Sequence, residues 1–300
     1  MIAGTFNIPA PVNEPIRSFA PGTSDRDELQ QMLEVVAKDQ LEIPVIAGGE
    51  RILSGDTFAI TMPHAHQERL AILHQARPED VQKAIDGALR VAPMWQSMSF
   101  QDRAGIFLKA AELLAGPWRA RINAACMLSQ SKTCHQAEID ASCELIDFLR
   151  YNVYFAERIL AEQPLSPRGD WNRLDYRPLE GFVFAVTPFN FLSIALNLPT
   201  APALMGNVVL WKPANVTAVG AWHLLEMLRE AGLPDGVISF LPGAGPAQGE
   251  VVLNSEHLAG IHFTGSTATF KALWRGVSDR LDRYRNFPRL VGETGGKDFI

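Results

Sequence analysis

The sequence predicts an α/β protein: a doubly wound, Rossmann-like parallel sheet with a helical N-terminal region and a projecting hairpin. Three observations carry this. From residue 181 onward, short apolar stretches alternate with helical patterns, the signature of strand–helix–strand units. The stretches are nearly free of charge, as parallel strands covered on both faces are. Each ends in a cluster of Gly, Pro and polar residues, where an open α/β sheet forms its ligand crevice.

The elements follow in order. DRDELQQMLEVVAK (25–38) opens with acids and repeats Leu29, Met32, Leu33 and Val36 at helical spacing. Residues 42–63 read as short strands around a Gly48-Gly49 turn. Residues 78–165 read as helices. The first begins at Pro78 with Glu79 and Asp80, suited to a positive helix N-terminus. A second places Ile106, Phe107, Ala110, Leu113 and Leu114 on one stripe. The polar, aromatic segment GDWNRLDYRPLEG (169–181) reads as a hairpin or flap. Strands are then expected at 182–187, 207–211, 237–241, 259–264 and 288–292. The helix between the second and third ends at Gly232, with Pro234 two residues on. The expected organisation is a mostly helical part of the cofactor-binding domain over 1–168, an oligomerisation hairpin at 169–181 and a Rossmann-like region over 182–300.

Composition excludes several classes. The chain has 300 residues, 47% hydrophobic and 20% charged, which suits a globular core and argues against disorder. Its net charge, 27 − 33 = −6, and its lack of basic runs make nucleic acid or an anionic membrane an unexpected partner. The 31 residues from Gly181 to Trp211 contain no Asp, Glu, Lys or Arg, but Pro188, Pro199, Pro202 and three asparagines rule against a membrane helix there. Three cysteines without a CxxC pair suit a reducing compartment, so a cytoplasmic location is expected. No transit peptide is visible; a eukaryotic source would shift the expectation to the mitochondrial matrix. His64 and His66 have no acid or thiol cluster beside them, so no metal is expected.

If the five strands are parallel, their polar tips share one edge. Each tip has a functional and a plain structural reading. Gly243, Gly245 and Gly249 form a loop one residue longer than the dinucleotide fingerprint, or an ordinary strand–helix turn. Gly265-Ser266-Thr267 opens a helix whose free N–H groups suit a phosphate, or is only a cap. Lys212 faces a ribose or phosphate, or solvent. Glu293 is a base with open space beside it, or a capping carboxylate. Asn190 offers its amide to a developing oxyanion, or forms a turn. Cys126, Cys134 and Cys143 read as buried small side chains away from this edge.

The blocks TPFNF, LWKP, GAGPAQG, HFTGST and GETGGK, in this order, resemble the aldehyde dehydrogenase superfamily. QSKTCHQAEIDASCELIDFLRYN, WNRLDYRPLEGFVFAVTPFNF and NFPRLVGETGGKDF are similar in particular to its delta-1-pyrroline-5-carboxylate dehydrogenase family. The resemblance covers nearly the whole chain. It implies NAD-dependent oxidation of L-glutamate gamma-semialdehyde to L-glutamate, through attack by a cysteine thiolate, hydride transfer to NAD and thioester hydrolysis. It implies Asn190 as the oxyanion donor and Glu293 as the general base. Lys212 would meet the adenosine ribose; Gly265, Ser266, Thr267, Ala268 and Thr269 the pyrophosphate; Thr187, Pro188 and Gly245 would also line the cofactor. Phe191 would be an aldehyde-pocket aromatic, and Glu138 an acid at the substrate entrance. The partners implied are a small-molecule aldehyde and further copies of the chain in a homo-oligomer. The family's nucleophilic cysteine and catalytic half lie downstream of Glu293, beyond Ile300. The 300-residue chain is therefore expected to bind NAD without turning over aldehyde; the alternative is a short non-catalytic nucleotide-binding or oligomer-partner protein. Asn215, where many superfamily members carry an acid, leaves the choice between NAD and NADP to the resemblance.

Overall fold

The computed structural model describes residues 7–296. Lys297 of the Gly-Gly-Lys motif lies outside them. The chain begins with α1 (Ser24–Lys38), then four short strands, β1 (Leu41–Ile43), β2 (Val45–Ala47), β3 (Glu50–Ile52) and β4 (Thr57–Met62), and the longer β5 (Ala65–His74). Helices α2 (Pro78–Ser97), α3 (Phe100–Ala115), α4 (Arg119–Gln130) and α5 (Cys134–Ala137) follow. A π-helical stretch (Glu138–Glu144) then leads directly into α6 (Leu145–Ala161). The second half alternates as expected: β6 (Phe182–Val186), α7 (Leu192–Leu204), β7 (Val208–Lys212), α8 (Ala218–Ala231), β8 (Ile238–Phe240), α9 (Gly245–Asn254), β9 (Leu258–Gly265), α10 (Thr267–Ser278) and β10 (Arg289–Thr294).

The main sheet has the order β10-β9-β6-β7-β8-β2-β3. Its five strands from the second half are parallel to one another. The sequence pattern explains the two layers. Along β6 and β7, Val183, Ala185, Val209 and Trp211 enter one core, with apolar residues of α3, α4, α6, α7 and α8. The alternating Phe182, Phe184, Val208 and Leu210 enter the other, with apolar residues of α2, α9 and α10. Successive side chains point to opposite faces, so a strand buried on both sides must be apolar throughout, and these are.

The region read as mostly helical contributes more sheet than its sequence suggested. The hairpin β2–β3 adds to the main sheet, with β2 antiparallel to β8 through Ile46 and Phe240. The strands β1, β5 and β4 form a separate three-stranded sheet. Segment 162–181 contains no strand. Its two arms are joined by side chains: Gln163 Oε1 accepts from Leu174 N–H at 2.9 Å, Ser166 Oγ from Asn172 N–H at 3.0 Å, and Tyr176 donates to Glu162 O at 2.8 Å. The segment is thus a flap stitched by side chains, bearing exposed Leu165 and Trp171.

Candidate functional site

The parallel register aligns the strand tips. Val186 lies opposite Lys212 on one side and Phe263 on the other, and Glu293 lies opposite Thr264. Two adjoining clefts open along this edge. The first, about 650 Å³, is a mostly apolar slot between α9 and α10, lined by Phe184, Gly249, Leu253 and Leu273 together with Lys212, Gly245, Ala268 and Thr269. The second, about 730 Å³, is lined by Thr187, Pro188, Asn190, Phe191, Gly265, Ser266, Thr267 and Glu293. Val186 and Thr269 line both, so the two clefts form one groove across the start of α10.

Local structure sets each side chain. Ser266 caps α10, its Oγ accepting from Thr269 N–H at 3.2 Å and meeting Thr269 Oγ1 at 2.8 Å. The other N–H groups of the first helical turn have no intrahelical partner, which leaves an anion-attracting end facing the groove. Lys212 ends an apolar strand before Pro213. Its ammonium donates to Pro213 O at 3.3 Å and pairs with no carboxylate among the described residues. Burial lowers its pKa from 10.5 to about 8. A part-buried cation with a single carbonyl partner leaves hydrogen-bonding capacity for a ligand. Gly245 fits beside it: a Cβ there would lie 3.5 Å from the Lys212 side chain. Thr187 is buried and its hydroxyl accepts from Trp211 Nε1 at 3.0 Å, so it reaches the groove with its side chain already engaged.

Glu293 is exposed at the groove and accepts from Thr264 Oγ1 at 3.1 Å. Across the second cleft stands Asn190, whose side-chain amide makes no hydrogen bond among the described residues, while its backbone carbonyl accepts from Lys132 Nζ at 2.5 Å. Glu144, with Glu293, Thr264 and His262, lines a smaller cavity of about 290 Å³ beside this cleft. Burial raises the Glu144 pKa, partly offset by a hydrogen bond from Ser193 Oγ at 2.9 Å; the nearby Asp140 and Glu293 charges raise it further.

Residues 53–300 match the family model described as "Aldehyde dehydrogenase family". The chain belongs to the aldehyde dehydrogenase family. It is 47% identical over 297 residues to a delta-1-pyrroline-5-carboxylate dehydrogenase of Agaricus bisporus, covering 98% of this chain and 54% of that one. It is 48% identical over 287 residues to the mitochondrial enzyme of that name from Mus musculus, covering 96% and 51%. A crystal structure of the Mycobacterium tuberculosis delta-pyrroline-5-carboxylate dehydrogenase bound with NAD superposes with a TM-score of 0.97 at 50% identity, covering 99% of this chain and 56% of that one. The chain thus spans about half the length of the curated relatives it matches.

Glu138 does not stand at an entrance: it is fully buried, in a pair with Arg119 that also takes Arg17 N–H at 2.8 Å and Asn123 Nδ2 at 2.7 Å. Glu14 completes the pair from the N-terminal arm. Glu138 opens the π-helical stretch. Its wider turn shifts which side chains face where, and presents Glu144, six residues on, to the cleft instead. Glu144, Asp140 and Lys132 were missed; all lie within the QSKT…ELID block, where charged residues read equally well as a solvated helix face. Cys126 and Cys143 are buried, with thiols pushed up to about 12 chiefly by burial, and none of the three cysteines lines the groove. Among the described residues, no helix is long and apolar enough to cross a membrane.

Proposed function

We propose that this chain forms the dinucleotide-binding part of a delta-1-pyrroline-5-carboxylate dehydrogenase, which oxidises L-glutamate gamma-semialdehyde to L-glutamate with NAD in proline degradation. The observation that carries the reading is the unpaired, part-buried Lys212 ammonium, set between an apolar slot and the capped start of α10. These features match the three parts of a dinucleotide half. The slot takes a flat base, Lys212 bonds the ribose hydroxyls, and the N–H groups after Ser266 take the pyrophosphate.

NAD, when bound, accepts the hydride that the aldehyde carbon gives up. The chain's own residues prepare that exchange. Asn190 offers its free amide to the oxygen that becomes anionic when the carbonyl is attacked. Glu293, held by Thr264, accepts a proton from the water that releases the acid. Phe191 walls the aldehyde side. The thiolate that family chemistry requires is none of Cys126, Cys134 and Cys143, since none lines the groove and raised pKa values keep Cys126 and Cys143 protonated. The 300-residue chain therefore binds dinucleotide without turning over aldehyde.

NAD is favoured over NADP by the surroundings of the slot. Asn215 is engaged, its Oδ1 accepting from Gly243 N–H at 2.8 Å and its Nδ2 donating to Gln75 at 3.2 Å. Lys212 is the one cation lining the slot among the described residues, so a 2′-phosphate finds no second partner. Exposed Leu165 and Trp171 on the 162–181 flap support a homo-oligomer joined there. The compartment proposed is the cytoplasm, or the mitochondrial matrix in a eukaryote; the mouse relative is named as mitochondrial.

Isothermal titration tests the reading. Heat of binding is expected with NAD and little with NADP, with no NADH formed on adding glutamate gamma-semialdehyde. No heat with NAD at millimolar concentration overturns it.

A further inference from the structure

We propose that Lys132 is a positioning residue that fixes the Asn190–Phe191 wall of the cleft, and so aims the Asn190 amide. The inference rests on the reading of Asn190 as the oxyanion donor. Its own observation is a three-way contact. The Lys132 ammonium donates to Asn190 O at 2.5 Å, pairs with Asp140, and lies 4.4 Å from the centre of the Phe191 ring. One cation thus holds the backbone of one cleft residue and the ring of the next.

The loop has little else to hold it. Among the described residues, the N–H groups of Phe189, Asn190 and Phe191 make no backbone hydrogen bond outside regular elements, and the Asn190 side chain bonds nothing. A side chain with no partner of its own is aimed by its backbone alone. Phe191 stands at the N-cap of α7 and supplies no side-chain cap. Asp140 takes over that function from the π-helical stretch. Its Oδ1 accepts from Ser193 Oγ at 2.8 Å and Ser193 N–H at 3.3 Å, and its Oδ2 from Leu192 N–H at 3.4 Å.

Lys132 is itself held firmly. It follows Ser131, the left-handed residue (φ 54°) that ends α4, and precedes Thr133, whose hydroxyl and Gln136 form a reciprocal cap on α5. The side chain is 16% exposed, against 4% for Asp140. A short turn between two capped helices therefore delivers a lysine to the far side of the cleft loop. The pair would be costly to bury unless both charges kept further partners, and they do.

Hydrogen exchange and side-chain amide spectra of the 300-residue chain provide the test. In Lys132→Met, exchange of the Leu192 and Ser193 amides, which donate to the Asp140 carboxylate that Lys132 pairs with, should speed about tenfold or more, and the Asn190 side-chain signals should broaden. Exchange in α8 should not change, which separates loop release from general loosening. Lys132→Arg, which keeps the charge and the donors, should restore both readouts to within about threefold. If Lys132→Met does not fold, Lys132→Gln replaces it, with the same direction of change expected. Unaltered exchange and sharp Asn190 signals in the variant without charge overturn the inference. NAD titration of the unaltered chain is read separately: its failure would remove the dinucleotide reading while the loop result still stood.

Discussion

Replacing Lys212 with methionine should make the protein more stable and its dinucleotide binding worse. The ammonium is held at about 8 against 10.5 by burial, with only Pro213 O to satisfy it. Each pKa unit is about 1.4 kcal/mol, so keeping the charge in place costs the unliganded fold on the order of 3 kcal/mol. Methionine keeps the apolar stem and removes the charge, so a gain of about 1–3 kcal/mol at pH 7 is expected after discounting for partial exposure. The sign with pH follows from linkage. The folded pKa is depressed, so between about 8 and 10.5 the unfolded chain binds more protons and the unaltered protein gains stability as pH rises. The difference between the two proteins should therefore be largest below pH 8 and vanish towards 10.5. Loss of a charged hydrogen bond costs about 1.5–3 kcal/mol, so NAD should bind roughly 10- to 150-fold more weakly to Lys212→Met. Urea denaturation at several pH values and NAD titration measure the two effects. A variant that binds NAD as tightly as the parent, or that is less stable at pH 7, refutes the reasoning.

Other substitutions separate the groove from its supports. Glu138→Ala leaves part of the Arg119 charge unpaired and should destabilise by about 3–5 kcal/mol in urea, with NAD affinity unchanged within about twofold. Burial alone would raise the Glu138 carboxyl, but bonds from Arg119, Arg17 N–H and Asn123 together hold it below 4.5. Its contribution is therefore complete above that pH and lost as pH falls, and acid titrations of parent and variant should converge at low pH. Gly249 lines the apolar slot and has nothing within 4 Å of a Cβ. Gly249→Ala should be neutral or stabilising by up to about 1 kcal/mol, as for a helical glycine, while Gly249→Trp fills the slot and should abolish NAD binding without unfolding. Lys132→Met should loosen the cleft loop as described above.

The parallel half was legible because its physics is local. Five runs nearly free of charge and ending in Gly, Pro and polar residues admit few arrangements, and Lys212, Ser266 and Glu293 share one edge. The β2–β3 hairpin was read as strands, but its place beside β8 was not, since antiparallel addition to a sheet edge leaves no periodic mark. The strand β5 went unread because its exposed first half, AHQER, carries no apolar alternation. Glu138 was carried over from the family resemblance, which does not show that its carboxylate is taken up by Arg119, Arg17 N–H and Asn123 in the interior. Lys132 escaped notice because Asn190 lies 58 residues away in sequence, and only packing brings it and Phe191 to the ammonium.

Whether the common strand edge is a dinucleotide groove can be read most directly from backbone amide shifts as NAD is added. Perturbations confined to residues around Lys212, Gly249 and Ser266–Thr269 are expected, with none near His257 and Arg285 at the opposite end of the sheet. Shifts clustered at His257 and Arg285, or none at any residue at millimolar NAD, contradict the account.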